Sequence, residues 1–382
     1  MKDRRQVQPA LQRTAALETE QAPPTAPPKG GLLLASAGRR ALIGAALLWA
    51  LLIVTSFAGR AALGTSVMTN LLISVVAVVG LGVFVGNSGI LSFGHVGFVA
   101  LGAYASGLLT LPPSIKETAL PELPAWLARV SLPFPLALVV ALVVVLVVAL
   151  IFGVAITRPS GYAAAIATLG VLVVVRSMLI GLESFTRGSQ TFYGVPPETT
   201  FMIALVCALA AIGIARLFRE SSHGLQLRAA RDDELAARAS GVNVARLRLE
   251  AWLLSALLAG LAGVLLAHLI TAFSPRQFFL PLTLTYLVML IIGGAGTVSG
   301  ATAGSVLVML ISEGLRGAES GFSIGPIEFP QFFGLAQVVL AVGMLVVLRV
   351  RPAGLIGGRE PDEMLIDRLI RRRSLKGEND RD

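Results

Sequence analysis

Three histidines, one cysteine and one dense run of mixed charge are the residues with which this 382-residue chain could do chemistry. The histidines, His95, His223 and His268, stand far apart, with no acid or cysteine cluster at ligand spacing beside them, so no metal site is expected. No nucleophile–base arrangement appears either, which argues against a hydrolase or an oxidoreductase. Cys207 lies alone in an apolar segment and reads as a buried, inert thiol. What remains is "RAARDDELAARASG", Arg228 to Gly241, set between long apolar stretches. Charges of both signs on a compact element suit recognition rather than bond-making.

Local rules make that run a short helix capped at both ends. Asp232 is the expected N-cap, and Asp233 and Glu234 place negative charge on the first turn. Glu234 and Arg238 are four apart in the favourable order, and Gly241 suits the C′ position. Asn243 then caps the next helix. A solvated loop with orienting charges would explain the arginines but not the two caps. A rigid polar knob at a membrane surface is suited to docking in a partner's groove.

Polar groups inside apolar segments form a second set of candidates, because they are costly in lipid. Asn87, Ser92 and His95 fall in a glycine-rich break, "GNSGILSFGHVG", where they either line a pathway or gate or serve as a hydrogen-bonded structural set. Arg176, near the outer end of its segment, could snorkel to headgroups, pair with Glu183 or face a substrate's carboxylate. His268 reads as structural.

The elements that hold these residues are apolar helices. The chain is 55% hydrophobic and only 14% charged, with a mean hydropathy of +0.80. Several runs reach the roughly 18–20 residues that cross a bilayer as a helix, and alternating strands of a β-barrel are absent. The fold class expected is all-α, a polytopic transmembrane helical bundle. Its net charge of +9 comes from basic residues in tails and short loops, the positive-inside pattern, so nucleic acid is not an expected partner.

Six candidate spans precede the charged run, starting with Ala41–Ala58, which reads as a retained signal anchor. Arg4, Arg5, Arg13, Lys29, Arg39 and Arg40 put the N-terminal arm in the cytoplasm, and six crossings return the chain there. Leu247–Phe273, Leu282–Ile311 and Phe329–Leu348 follow. Arg349, Arg351 and Arg371 to Arg373 place the tail inside as well, which requires Leu282–Ile311 to cross twice, breaking at "GGAGTVSG". The count becomes about ten spans with two glycine-rich breaks on the cytoplasmic side, possible equivalent points of two internal repeats. Residues 1–40, Pro-rich and basic, are an expected disordered cytoplasmic arm; 41–348 form the transmembrane domain, with 219–246 as its cytoplasmic loop; 349–382 form a basic tail whose "RLIRRRSLK" can touch anionic membrane lipid. Small residues at Ser255, Ala259, Gly263 and Ala267, and at Gly296, Gly300 and Gly304, mark faces for close helix packing.

The run from Arg228 through "GVNVARLRLEAWLLSALLAGLAGVL" resembles the coupling-loop region of ABC-importer permeases, with "AARASG" fitting their AAxxxG pattern. Together with "GNSGILSFGHVGFVALGAY", "LIIGGAGTVSGATAG" and the loop "SFTRGSQTFYGVP", it is similar to the M-type permease of branched-chain amino-acid ABC importers over roughly Asn70 to Leu348. The resemblance implies a bacterial inner-membrane subunit that works with a second homologous permease, two cytoplasmic ATPase subunits and a periplasmic substrate-binding protein. It implies ATPase-coupling contacts from Arg231, Asp232, Asp233, Glu234, Ala236, Ala237 and Gly241, and an external loop at Thr186, Arg187 and Gly188. ATP would be used by the partners: no G-x-x-x-x-G-K-[ST] loop occurs in this chain, and no bound cofactor is expected. An importer of urea or short amides would use a similar subunit. A stand-alone secondary transporter would want a carboxylate at mid-membrane, and a channel a ring of charge or carbonyls; neither is apparent.

Overall fold

The computed structural model describes residues 30–319, 323–324, 327–328, 334–358 and 360–361. The described residues from Gly38 onward belong to one compact unit; of Met1–Ala37 only the start of the first helix is described. The chain runs through α1 (Gly30–Leu63), α2 (Thr65–Ser88), α3 (His95–Thr110), α4 (Pro113–Ala119), α5 (Ala125–Ala128), α6 (Phe134–Ile156), α7 (Gly161–Gly181) and α8 (Glu183–Thr186). It continues through β1 (Phe192–Tyr193), α9 (Phe201–Glu220), α10 (Ser222–Asp232), α11 (Glu234–Ala239), α12 (Val244–Ile270), β2 (Ala272–Phe273), α13 (Leu280–Gly293), α14 (Val298–Glu319), the β3–β4 hairpin (Ser323–Ile324, Ile327–Glu328) and α15 (Leu335–Val350).

The expected all-α class is observed, and the expected count of ten full spans is not. Seven described helices are long and apolar enough to cross a membrane, or eight if α3 and α4, bent by 116°, count as one. Two of the expected crossings are short: α13 has 14 residues and α15 has 16, about 21 and 24 Å at helical rise against a hydrocarbon core of about 30 Å. Pro281 opens α13 and Gly294, at φ +118°, closes it, so the backbone itself limits its length. The helix after it runs to Glu319 rather than Ile311, and its candidate span, Val298–Arg316, takes in Glu313 and Arg316. Helix also begins at Gly30, inside the stretch expected to be disordered; "LLLASAGRRAL" is rich in good helix formers and extends the apolar run toward its N-terminus. Residues 1–29 lie outside the described residues.

Burial sorts the helices into a centre and a periphery. The best 18-residue window of α2 is 83% buried and that of α12 61%, against 28% for α6 and 33% for α7. The two central helices meet through small residues. Ser255 Oγ donates to the Gly80 carbonyl at 2.6 Å, and Gly263 lies so close to the Val99 carbonyl of α3 that no β-carbon would fit. Gly102 of α3 lies against the Gly260 carbonyl in the same way, and Gly260 in turn faces Val145 of α6. Van der Waals contact between backbones is what holds helices together where lipid offers no hydrophobic drive. In α6 the buried residues are Ala137, Ala141, Val145, Ala149, Gly153 and Ile156, one stripe at helical spacing against α12, while Val139, Val143, Val147 and Ile151 face outward. Trp252 of α12, fully buried, sits on this stripe and donates Nε1 to the Ala149 carbonyl at 2.9 Å.

Consecutive long helices reverse direction, so the breaks collect at two ends. One end gathers the α2–α3 break, Ser160, α10, α11 and the α13–α14 break. At the other, β1 pairs antiparallel with β2, Phe192 opposite Phe273. Tyr104 and Phe278 complete that aromatic cluster at ring separations of 5.0 and 5.7 Å from Phe273. Lys116, buried, donates its Nζ to the carbonyls of Leu127 (3.1 Å) and Val130 (2.5 Å), closing the neighbouring loop.

Candidate functional site

The charged run folds as two helices, not one. Ser221 caps α10, its hydroxyl accepting from Gly224 N at 3.1 Å. That helix continues through Asp232, so the N-cap of α11 is Asp233, whose Oδ1 accepts from Ala236 N at 3.0 Å. The expected cap was one residue early. Asp233 alone has the extended backbone a cap requires, at φ −147° and ψ 103°. At the other end Gly241 takes φ +83°, Gly241 N bonds to Arg238 O and Val242 N to Ala237 O, a Schellman closure that needs glycine at C′. Asn243 caps α12, accepting from Arg246 N at 3.1 Å, as expected.

Side-chain contacts tie this knob to the bundle. Glu234 accepts from Arg238 (2.5 Å), from Arg248 of α12 (2.8 Å) and from the Ser160 hydroxyl at the start of α7 (3.0 Å). Arg248, 5% exposed, also donates to Ser160 Oγ at 3.2 Å. Burial alone raises the Glu234 carboxyl, but the hydrogen bond and charge of Arg248, with Ser160 and Arg238, overcome it and hold the group below the usual glutamate range. Arg231 reaches back to the first glycine break and donates to the Gly86 carbonyl at 2.9 Å, with Asp232 3.5 Å from its Nε. Ala237 packs inward with Ala230 and Val244. Asp232, Asp233, Ala236 and Gly241 are exposed, and so is Leu235, at 81% the most exposed apolar side chain of the knob.

The two glycine breaks touch: Gly86 abuts the Ala295 carbonyl. In the first, His95 is buried and its Nδ1 is 2.6 Å from Ser92 Oγ. Its ring packs edge-on to Trp252 and Phe98, and beside Phe84. Asn87 donates Nδ2 to the Val83 carbonyl of its own helix at 2.7 Å. His95 Nε2 and Asn87 Oδ1 are buried with no hydrogen-bond partner among the described residues. The second break is held by the tail. Glu360, wholly buried, lies 3.0 Å from Arg216 Nη1 and 3.4 Å from Arg219 Nε, and accepts from Val298 N (2.7 Å), Ser299 N (3.3 Å) and Ser299 Oγ. A carboxylate on the first amides of α14 is the favourable sign for that helix end. Arg219 also donates to the Gly296 carbonyl. The described part of the tail is therefore packed into the bundle, whereas "RLIRRRSLK" lies outside the described residues.

At the opposite end Arg176 stacks over the Phe279 ring at 4.1 Å and forms no ion pair with Glu183 among the described residues. Thr186 folds its loop back onto the end of α7: its hydroxyl faces the Leu179 and Leu182 carbonyls as donor (2.5 and 2.8 Å) and accepts from Gly188 N at 3.2 Å. Arg187, at φ +64°, donates to the Thr191 carbonyl and lies over Tyr193 at 4.5 Å. No group of three or more possible metal ligands occurs among the described residues.

The structure thus brings Arg231 to the Gly86 end of the break that holds Asn87, and keeps Arg176 and Thr186 to Gly188 at the far end. Sequence reasoning missed Ser160, Arg248, Leu235 and the Glu360 clasp. Arg216 carried a usable signal, since a charge inside an apolar segment demands a buried partner. Ser160 and Arg248 carried none, being brought to Glu234 only by the meeting of three helix ends.

Comparison with known proteins places this architecture. The chain is 24% identical over 330 residues to the high-affinity branched-chain amino acid transport system permease protein LivM of Salmonella typhimurium, covering 77% of this chain and 70% of that protein. The Escherichia coli LivM is 23% identical over the same shares. A probable branched-chain amino acid transport permease protein LivH of Methanocaldococcus jannaschii is 30% identical over 173 residues, 44% of this chain and 49% of that one. No solved structure matches. The family model described as branched-chain amino acid transport system / permease component matches residues 61–348, and the chain belongs to that family.

Proposed function

We propose that this chain is a transmembrane permease subunit of an ABC importer and forms, with a second homologous permease, the pathway for branched-chain amino acids. Two ATPase subunits bind the knob at α11 from the cytoplasm, and a periplasmic binding protein delivers substrate to the end that carries Thr186 to Gly188. Both termini are cytoplasmic in this reading. Ten crossings follow if α3, α13 and α15 each count as one, the two short ones being seated among longer neighbours.

The observation that carries the proposal is the way α11 is joined to the bundle. Glu234 links it at once to α12 through Arg248 and to the start of α7 through Ser160, and Arg231 links it to the Gly86 carbonyl of α2. A push on the knob therefore reaches the central helix α12, the peripheral helix α7 and the first glycine break together. Leu235, Ala236 and Asp232 form the exposed tip available to the ATPase. ATP is hydrolysed by the partner, and this chain contributes no nucleotide site.

The test is reconstitution with candidate ATPases, the second permease and the binding protein in proteoliposomes. Leucine uptake should require ATP, and a cysteine at Leu235 should cross-link to an ATPase subunit. Uptake by this chain alone, or a Leu235→Cys variant that cross-links to nothing while uptake proceeds, would overturn the reading.

A further inference from the structure

A cavity of about 530 Å³ opens between α2, α12, α13 and α14 at the end opposite the knob. Its walls combine apolar side chains, among them Leu266, Met289 and Met309, with the phenol of Tyr286 and the side chains of Glu313 and Arg316. The volume lies within the range of small-molecule sites, roughly 300–1,000 Å³. None of the residues singled out for coupling, gating or external docking lines it.

The charged pair is the informative feature. Arg316 Nη1 stands 3.4 Å from Glu313 Oε2, near enough to attract but not aligned as a hydrogen bond. Glu313 Oε2, shielded from solvent, accepts no hydrogen bond among the described residues. The Glu313 side chain is 17% exposed and that of Arg316 68%, so the guanidinium is free to swing while the carboxylate stays in the wall. A loosely joined acid and base in a cavity of mixed polar and apolar walls can exchange each other for a ligand that carries both signs. Such an exchange keeps the site neutral; a ligand with only a carboxylate would leave the shielded Glu313 without a partner, which is costly at low dielectric, and one with only an ammonium would forgo the contact with Arg316.

We infer that this cavity is a binding site for a zwitterionic amino acid with an apolar side chain, its carboxylate on Arg316, its ammonium on Glu313 and its side chain against Leu266, Met289 and Met309. The site rests on the reading of the chain as an amino-acid permease and gives that reading a place in the pathway, on the side from which substrate arrives. Its apolar walls are wide, so leucine, isoleucine and valine should compete within a modest range, since one methylene in such a pocket is worth only about 10- to 200-fold at most.

The experiment uses the assembled importer in proteoliposomes, carrying Ser312→Cys at the cavity wall in a Cys207→Ala background. Thiol labelling of residue 312 by a small maleimide is followed with millimolar L-leucine, 4-methylpentanoate or 3-methylbutylamine. Leucine should slow labelling several-fold, and each single-charge analogue should slow it less than leucine does. In a second arm, Glu313→Gln and Arg316→Gln should each lower leucine uptake about tenfold to a hundredfold, the loss expected for one charge-assisted contact, while ATP hydrolysis without substrate is retained. Equal protection by all three compounds, protection by none, no labelling at all, or full uptake by both variants would overturn the inference. Those failures are separate from that of the permease reading, which falls only if the unmodified importer takes up no leucine.

Discussion

Glu234 and Glu360 each face two arginines at the same end of the bundle, and their surroundings make them different devices. Glu360 has no exposure; its five polar contacts come from α9 and from the first turn of α14, and they join the tail to the second glycine break. Glu234 is 24% exposed at its side chain and joins three helix ends beside the first break. Removing one partner of a buried, hydrogen-bonded charge pair strands the others, whereas a pair near the surface recovers water. The buried clasp is therefore the costlier fastening to break, and the surface latch the cheaper one to open.

Exchanging the two carboxylates for amides gives the largest contrast. Glu360→Gln should cost about 3–5 kcal/mol, by removing the buried carboxylate that Arg216 and Arg219 share, and should lower the unfolding temperature of the purified chain sharply. An unchanged unfolding temperature would mean that the clasp holds nothing. Glu234→Gln should cost about 1 kcal/mol after allowance for solvent. Its signature is a fall in ATP-coupled uptake with nearly normal stability; equal losses in both would place the two carboxylates in one class.

Acid sharpens the same comparison. With its folded-state pKa depressed, Glu234 contributes stability above the ordinary glutamate range, and that contribution is lost as pH falls through the lowered value. The difference in stability between the native chain and Glu234→Gln should thus be constant at neutral pH and shrink only below about pH 4.5. A difference that changes near pH 7 would implicate another group. The smallest effect separates neighbours: Asp233→Ala should cost about 1 kcal/mol as a lost cap, while Asp232→Ala stays within about 0.5 kcal/mol. Reversal of that order would return the cap to Asp232.

Much of this was legible because membranes simplify the code. A run such as "FPLALVVALVVVLVVALIFGVAI" is rich in β-branched residues, yet in lipid only a helix satisfies its backbone, and it is one. The break at 294–297 was legible from glycine, and the Gly241 and Asn243 caps from short-range rules that depend on a few adjacent residues. Span counting did less well. Apolar length does not reveal that Pro281 and Gly294 cut α13 to 14 residues, nor that α14 carries Glu313 and Arg316 within its apolar length. The cavity pair lay one helical turn beyond the expected segment end and was passed over for that reason.

Composition, apolar length and local capping set the class, the helices and the compact knob, since each depends on neighbours within a turn or on the solvent that surrounds every residue alike. Which charges meet was decided by packing. Arg248 is 14 residues from Glu234, Ser160 is 74 away, and Glu360 is 141 from Arg219 and 62 from Val298. Contacts over such separations have no period to read, because they exist only after glycines at 80, 102, 260 and 263 let the helix backbones close to contact and bring those ends to one place.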